Sequence, residues 1–208
     1  DSYQTLREEL IAAGHTFTTK SDTEVLLHGY EQWGVDLLQR VRGMFTFVIW
    51  DKNKQELFGA RDHFGIKPFY YAKMNGTFMY ASEIKSLLRH PDFVKELNAE
   101  ALKPYMTFQY PAIGETFFKG VYKLPEGHYF TYRDGKMDIH RYYDEDFREG
   151  KQKLGELVNS IDQTVCDSVK AHQIADVEVG SFLSSGVDSS YVAAVARPQH
   201  TYSIGFGK

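Results

Sequence analysis

A single cysteine, Cys166, stands in a chain of 208 residues, so no internal disulfide can form. There is no Cys/His cluster at metal-ligand spacing either, which argues against a structural zinc site. The reducing cytosol is the natural setting for such cysteine usage, and a cytoplasmic location is the expectation. Long apolar runs are also lacking. Nothing approaches the roughly 18 consecutive apolar residues of a membrane span, and the most apolar short stretch, Met44 to Trp50, has the length of a strand. Charge of one sign is scarce as well: the formal net charge is -4 with both signs mixed along the chain. That leaves no electrostatic argument for a nucleic-acid or acidic-lipid partner.

What is present is a folding composition. Hydrophobic residues make up 42% and aromatic residues 15%, enough for one sizeable core or two small ones. The chain opens at Asp1 without a methionine and closes at Lys208 just after a strand pattern, as expected for part of a longer polypeptide.

Leu6, Leu10 and Ile11 fall on one face of a helix predicted from Tyr3 to Ala13, with Gly14 as its stop. Ser21-Asp22-Thr23-Glu24 has the spacing of a capping box, opening a second helix that carries Val25, Leu26, Tyr30 and Trp33. A short helix is predicted around Leu37, Leu38 and Val41. Then the pattern changes to strands. Met44 to Trp50 and Glu56 to Ala60 form one predicted pair; Phe69 to Ala72 and Thr77 to Ala81 form another, around the hairpin signal Asn75-Gly76. Helices are predicted at Glu83 to Leu88 and Ala99 to Met106. A third hairpin, Tyr129 to Arg133 with Lys136 to Tyr142, turns at Asp134-Gly135. Antiparallel strands with interspersed helices suggest a layered α+β, αββα domain.

Asp144 to Lys153 is charged and nearly free of apolar residues, as a linker would be. Beyond it, Leu157, Ile161, Val165 and Val169 recur at near-helical spacing, followed by a strand from Val177 to Leu183. A polar loop, Ser184 to Ser190, a helix from Tyr191 to Ala196 and a strand from Thr201 to Phe206 complete the order. That is the beginning of an α/β parallel sheet. The predicted domains are residues 1–148 and 149–208.

The loop at 184 to 190 is small and polar and sits between a strand and a helix start. Backbone amides and the hydroxyls of Ser184, Ser185, Ser189 and Ser190 could meet an anion there, reinforced by the helix dipole. Asp188 would repel phosphate unless a cation lay between them, and Mg2+ bound by Asp188 would resolve that. Asp188 or Ser189 could equally serve only as a helix cap. The loop lacks the Gly-Lys-Ser/Thr ending of the P-loop.

Residues Ser184 to Ser190 resemble the pyrophosphate-binding loop of ATP-pyrophosphatases, usually Ser-Gly-Gly-x-Asp-Ser-Ser. Ser185 stands where glycine is usual, which suits the fold only if that position needs no positive φ. The resemblance implies nucleotide contacts from Leu183, Ser184, Ser185, Gly186, Asp188, Ser189, Ser190, Ile204 and Gly205. ATP is then a substrate and Mg2+ a cofactor, with Asp188 its ligand. In order along the first part stand Ser21-Asp22-Thr23-Glu24, Arg42-Gly43-Met44-Phe45, Ala60 to Pro68 and Ala81-Ser82-Glu83-Ile84-Lys85. Together these resemble the class II glutamine amidotransferase domain of asparagine synthetases, an N-terminal-nucleophile αββα fold. The two resemblances span essentially the whole chain.

The resemblance implies synthesis of asparagine from aspartate through β-aspartyl-AMP, with ammonia from glutamine, and often a homodimer. It assigns Asp22 to the α-amino group of glutamine. Its nucleophile, an N-terminal cysteine, is not among these residues, and Cys166, inside a helix pattern, is assigned no catalytic part. Arg61 and Asp62 are expected to form a local ion pair in a structural turn. His15, His28, His63 and His90 are scattered, with no third group in sequence to orient a triad. A relative with another acceptor, or a non-catalytic nucleotide-binding relative, would share these features.

Overall fold

The computed structural model describes residues 2–110, 112–175 and 177–205. The chain divides into two compact units, one of residues 5–146 and one made mainly of the chain from Phe147 onward.

In the first unit, helices α1 (Tyr3–Ala12) and α2 (Asp22–Trp33) and a 3-10 helix (Gly34–Gln39) precede the strands. Strands β1 (Thr46–Asp51), β2 (Glu56–Arg61), β6 (His128–Arg133) and β7 (Lys136–Arg141) form an antiparallel sheet in the order β1-β2-β6-β7. Strands β3 (Tyr70–Met74), β4 (Thr77–Ala81) and β5 (Val121–Lys123) form a second antiparallel sheet in the order β4-β3-β5. Helices α3 (Ile84–Leu87) and α4 (Leu102–Phe108) lie between β4 and β5 in the chain.

Strand alternation explains how these elements stack. On β1 and β2, Phe47, Ile49, Phe58 and Ala60 pack with Tyr30, Leu37 and Leu38 of the helical layer. Their neighbours Val48 and Leu57 turn the other way, joining Phe69, Leu124, Phe130, Tyr71 and Phe78 between the sheets. On the far side of the second sheet, Ala72, Met79 and Val121 pack with Leu87 and Ile84 of α3. The result is the expected helix, sheet, sheet, helix layering. Phe58, Phe69 and Phe130 are fully buried, each contributing about 1.5–3 kcal/mol of hydrophobic stabilisation. Gly59 faces Phe130 across the ladder, and a Cβ there would lie 2.3 Å from the ring. The ring occupies the space a side chain would need. Both tryptophans belong to this unit: Trp33 carries the Arg40 guanidinium 4.4 Å over its ring, and Trp50 is an exposed residue of β1.

The predicted hairpins turn where expected. Asn75-Gly76 and Asp134-Gly135 all have positive φ, the conformation that a two-residue strand connection demands. Three expectations are corrected. The short helix around Leu37 and Leu38, a 3-10 helix, ends at Gln39 and leaves Val41 outside it. The capping box is incomplete: Ser21 Oγ caps α2 by accepting from Thr23 N at 3.1 Å, whereas Glu24 turns away to other donors. And β5 is a strand where none was predicted.

In the second unit, α5 (Leu154–His172) is followed by β8 (Ser181–Phe182), α6 (Val187–Ala196) and β9 (Thr201–Tyr202), with β8 and β9 parallel. The expected strands are shorter: pairing is limited to Ser181 with Thr201 and Phe182 with Tyr202, and Val177 is exposed. Phe206 of the predicted last strand lies outside the described residues, as do Asp1 and Pro111. Helix α6 begins at Val187, earlier than expected, so Asp188, Ser189 and Ser190 sit in its first turn. No described helix is long and apolar enough to cross a membrane.

Candidate functional site

Leu183 leaves β8 with its N–H on the Tyr202 carbonyl at 2.8 Å, while Ser203 Oγ donates to the Leu183 carbonyl at 2.6 Å. These two bonds fix where the polar loop starts. The loop then folds on its own hydroxyls. Ser184 Oγ and Ser189 Oγ lie 3.0 Å apart, Ser184 N donates to Ser189 Oγ at 3.3 Å, and Ser189 Oγ donates to the Gly186 carbonyl at 3.1 Å. Gly186 is the N-cap of α6 and supplies no side-chain cap. Ser190 N makes the first intrahelical bond, to the Gly186 carbonyl at 3.1 Å; the helix amides before it have no intrahelical acceptor by geometry, and the dipole favours an anion beside them.

Ser185 has φ of +61°. The position therefore does require the left-handed conformation, contrary to the condition under which serine would replace glycine freely. The strain of a non-glycine residue there is on the order of 1–3 kcal/mol.

Leu183, Ser184, Ser185, Ser190 and Ile204 line one cavity of about 520 Å³, with Phe182, Tyr202 and Ser203 completing its wall. Gly186, Asp188, Ser189 and Gly205 are not part of that wall. Asp188 is exposed in the first turn of α6. Its carboxylate suits a cation shared with phosphate oxygens, because Mg2+ commonly takes one or two carboxylates and completes its shell with substrate and water. It does not suit an all-protein cage: no group of three or more ligating side chains includes Asp188 among the described residues.

Asp22 stands in the first turn of α2, exposed, with Oδ1 accepting from Ser21 Oγ and Thr23 Oγ1 at 3.4 Å each. Beside it lies a cavity of about 610 Å³ between the α1–α2 loop and β1, walled by Thr18, Thr19, Glu24, Leu27 and residues 47–50 among others. Asp22 is not in that wall. Glu24 organises the loop. Its Oε1 accepts from Thr18 N at 2.7 Å and Thr18 Oγ1 at 3.1 Å; its Oε2 accepts from Thr19 N at 2.7 Å and from Thr19 Oγ1. Those bonds, led by the Thr18 amide, hold the Glu24 carboxyl down at about 2. Loop donors outnumber the single amide that a capping box would offer, which explains the departure from the expected pairing.

Arg61 and Asp62, both buried, stabilise the turn in a different way from the expected ion pair. Arg61 donates to the carbonyls of Lys67 and Leu124 at 2.7 Å each and to that of Gly65. Asp62 accepts from the amides of Phe64, Ile66 and Lys67. Burial lowers the pKa of Arg61 and of His63. His63 packs edge-on against Tyr143, with the ring centroids 4.4 Å apart. Cys166 is half-buried on α5.

The scattered histidines are not all separate. His15 and His28 meet with Nδ1 atoms 3.3 Å apart, and Glu31 Oε2 lies 2.7 Å from His28 Nδ1. The only cue to this in the sequence is the helical spacing of His28 and Glu31; His15 arrives from across the loop.

The family model of the glutamine amidotransferase domain matches residues 2–143, and that of asparagine synthase matches residues 160–208. The chain belongs to the glutamine amidotransferase family. Within it, the chain is homologous to glutamine-hydrolysing asparagine synthetases. It is 43% identical to asparagine synthetase [glutamine-hydrolyzing] 1 of Bacillus subtilis, covering 99% of this chain and 33% of that protein. Asparagine synthetase [glutamine-hydrolyzing] 3 of the same organism is 36% identical, over 97% of this chain and 34% of its own length. Amidase chry2 of Gibberella zeae is 34% identical, over 86% of this chain and 27% of its own length. The chain thus spans about a third or less of these relatives.

Proposed function

We propose that this chain is the glutamine-hydrolysing part and the start of the synthetase part of an enzyme that makes asparagine from aspartate, ATP and glutamine. Residues 1–148 form the amidotransferase domain and 149–208 begin the synthetase domain. The observation that carries the second half is the loop opening α6: a polar helix start, whose dipole favours an anion, beside a cavity walled by Leu183, Ser184, Ser185, Ser190 and Ile204. Leu183, Ile204 and Gly205 lie along the adenosine. Ser184, Ser185, Gly186, Ser189 and Ser190 hold the pyrophosphate through N–H and O–H groups, and Asp188 would hold Mg2+. Bound there, Mg2+ would neutralise charge that develops on the pyrophosphate leaving group.

Aspartate attacks the α-phosphorus of ATP through its β-carboxylate oxygen, and pyrophosphate leaves, giving β-aspartyl-AMP. Ammonia then attacks the activated carbonyl, AMP leaves, and asparagine forms. In the first domain, Asp22 accepts from the α-ammonium of glutamine, holding the substrate for hydrolysis by a cysteine outside these residues. The proposal carries a cytoplasmic location and a homodimer with it.

Separate variants of the full-length enzyme test this division of labour. Asp188→Ala should weaken Mg2+-dependent pyrophosphate release and spare glutamine hydrolysis; Asp22→Ala should raise the glutamine requirement while synthesis driven by free ammonia survives. Equal loss of both activities in either folded variant would overturn it. A second reading is an amide-forming relative with a different acceptor, since one relative of this chain, amidase chry2, bears a name other than asparagine synthetase. Pyrophosphate release stimulated by another carboxylic acid and not by aspartate would select that reading.

A further inference from the structure

We infer that His15, His28 and Glu31 form a binding site for one Zn2+ ion, which staples the α1–α2 loop to α2. The three ligand atoms, His15 Nδ1, His28 Nδ1 and Glu31 Oε2, are separated by 3.3, 2.7 and 3.7 Å. Metal–ligand bonds of about 2.0–2.2 Å in a tetrahedron require ligand atoms roughly 3.3–3.5 Å apart. The triangle formed by His15 of the loop with His28 and Glu31 of α2 already has nearly that size.

The remote ring atoms are arranged for the same purpose. His15 Nε2 is 2.9 Å from Gln32 Oε1, so it carries the proton, which leaves the Nδ1 lone pair facing the other two ligands. His28 Nε2 faces Glu24 Oε1 at 3.7 Å. A carboxylate or carbonyl behind the far nitrogen is how proteins orient a ligating imidazole. In the metal-free state His28 Nδ1–H donates to Glu31; with an ion bound the proton moves to Nε2, toward Glu24. Both rings are largely enclosed, at 18% and 17% side-chain exposure, whereas Glu31 is 53% exposed. The ion enters from the Glu31 side and keeps water in its fourth position. Two imidazoles and one carboxylate select a first-row transition ion over Mg2+, which prefers an all-oxygen shell. Glu24 links the site to the loop, because the same carboxylate accepts from the amides of Thr18 and Thr19.

Zn2+ titrated calorimetrically into the chelator-stripped full-length protein should bind at one site per chain, undiminished by excess Mg2+. His15→Gln and Glu31→Gln should each weaken binding at least about tenfold, and Cys166→Ser should leave it unchanged. Glu31→Gln changes an exposed side chain by one atom, so it keeps the assay readable if His15→Gln fails to fold. Co2+ in place of Zn2+ should give visible d–d absorption without a thiolate charge-transfer band. In the unmodified protein, Zn2+ should slow amide exchange at residues 15–19. Absence of binding, binding indifferent to Glu31→Gln, or a cobalt spectrum showing thiolate ligation would each overturn the site.

Discussion

Arg61 and Asp62 grip the same residue from its two sides: the guanidinium takes the Lys67 carbonyl and the carboxylate takes the Lys67 amide. Each then reaches two further backbone groups, so five hydrogen bonds close this turn and a sixth ties it to Leu124, without relying on direct contact between the two charges. Asp62→Ala should cost on the order of 3 kcal/mol, because buried amides lose a charged acceptor that water cannot easily replace. Arg61→Ala should cost a similar amount. Since both act on one turn, the double variant should lose less than the sum of the two, by about 0.5 kcal/mol or more. Urea unfolding of the three variants reads this directly.

Gly59→Ala places a Cβ against the Phe130 ring, where 2.3 Å separates the atoms before relaxation. Overpacking of this kind costs about 1–3 kcal/mol. Phe130→Leu should be less damaging in the Gly59→Ala background than alone, since the smaller side chain makes room. A thermodynamic cycle showing no coupling would mean the sheets part to admit the methyl group.

Ser185 occupies the left-handed region at φ +61°. Ser185→Gly removes strain but adds about 0.5–1 kcal/mol of unfolded-state freedom, so the net change should be small. Ser185→Val, with a branched Cβ, should destabilise by about 1–3 kcal/mol. Amide exchange in α6 would report both changes locally.

Tyr191 donates to Asp162 of α5, and that bond pushes its phenol from 10.0 up to about 12. Because the folded value lies above the unfolded one, the interaction contributes in full below pH 10 and is lost as pH rises through about 12. Asp162→Asn should bring one phenol back toward 10 in a spectrophotometric titration, and Tyr191→Phe should remove that transition altogether.

Much of this architecture was legible in the amino-acid order because its signals are local. Asn75-Gly76 and Asp134-Gly135 announce their turns by residue type, and alternating apolar residues on β1 and β2 announce two buried faces. The loop at 184 to 190 was equally plain, as a run of small polar residues, though that composition hid the first turn of α6. Features decided by distant partners were not legible. Val177 to Leu183 is apolar enough for a longer strand, yet the ladder extends only as far as Thr201 and Tyr202 pair with it. Glu24 has capping-box spacing, but four donors on Thr18 and Thr19 draw it away. His15 lies thirteen residues before His28, and only the return of the α1–α2 loop brings the rings together.

Trp33 and Trp50 both lie within residues 5–146, while α5 has no tyrosine, phenylalanine or tryptophan and α6, β8 and β9 carry Tyr191, Phe182 and Tyr202. Indole emission from this stretch of chain is therefore an optical label for one unit alone. Excited selectively, it follows the unravelling of the layered sheets and stays silent while the other unit melts, so comparing it with circular dichroism would show whether the two come apart together or in turn.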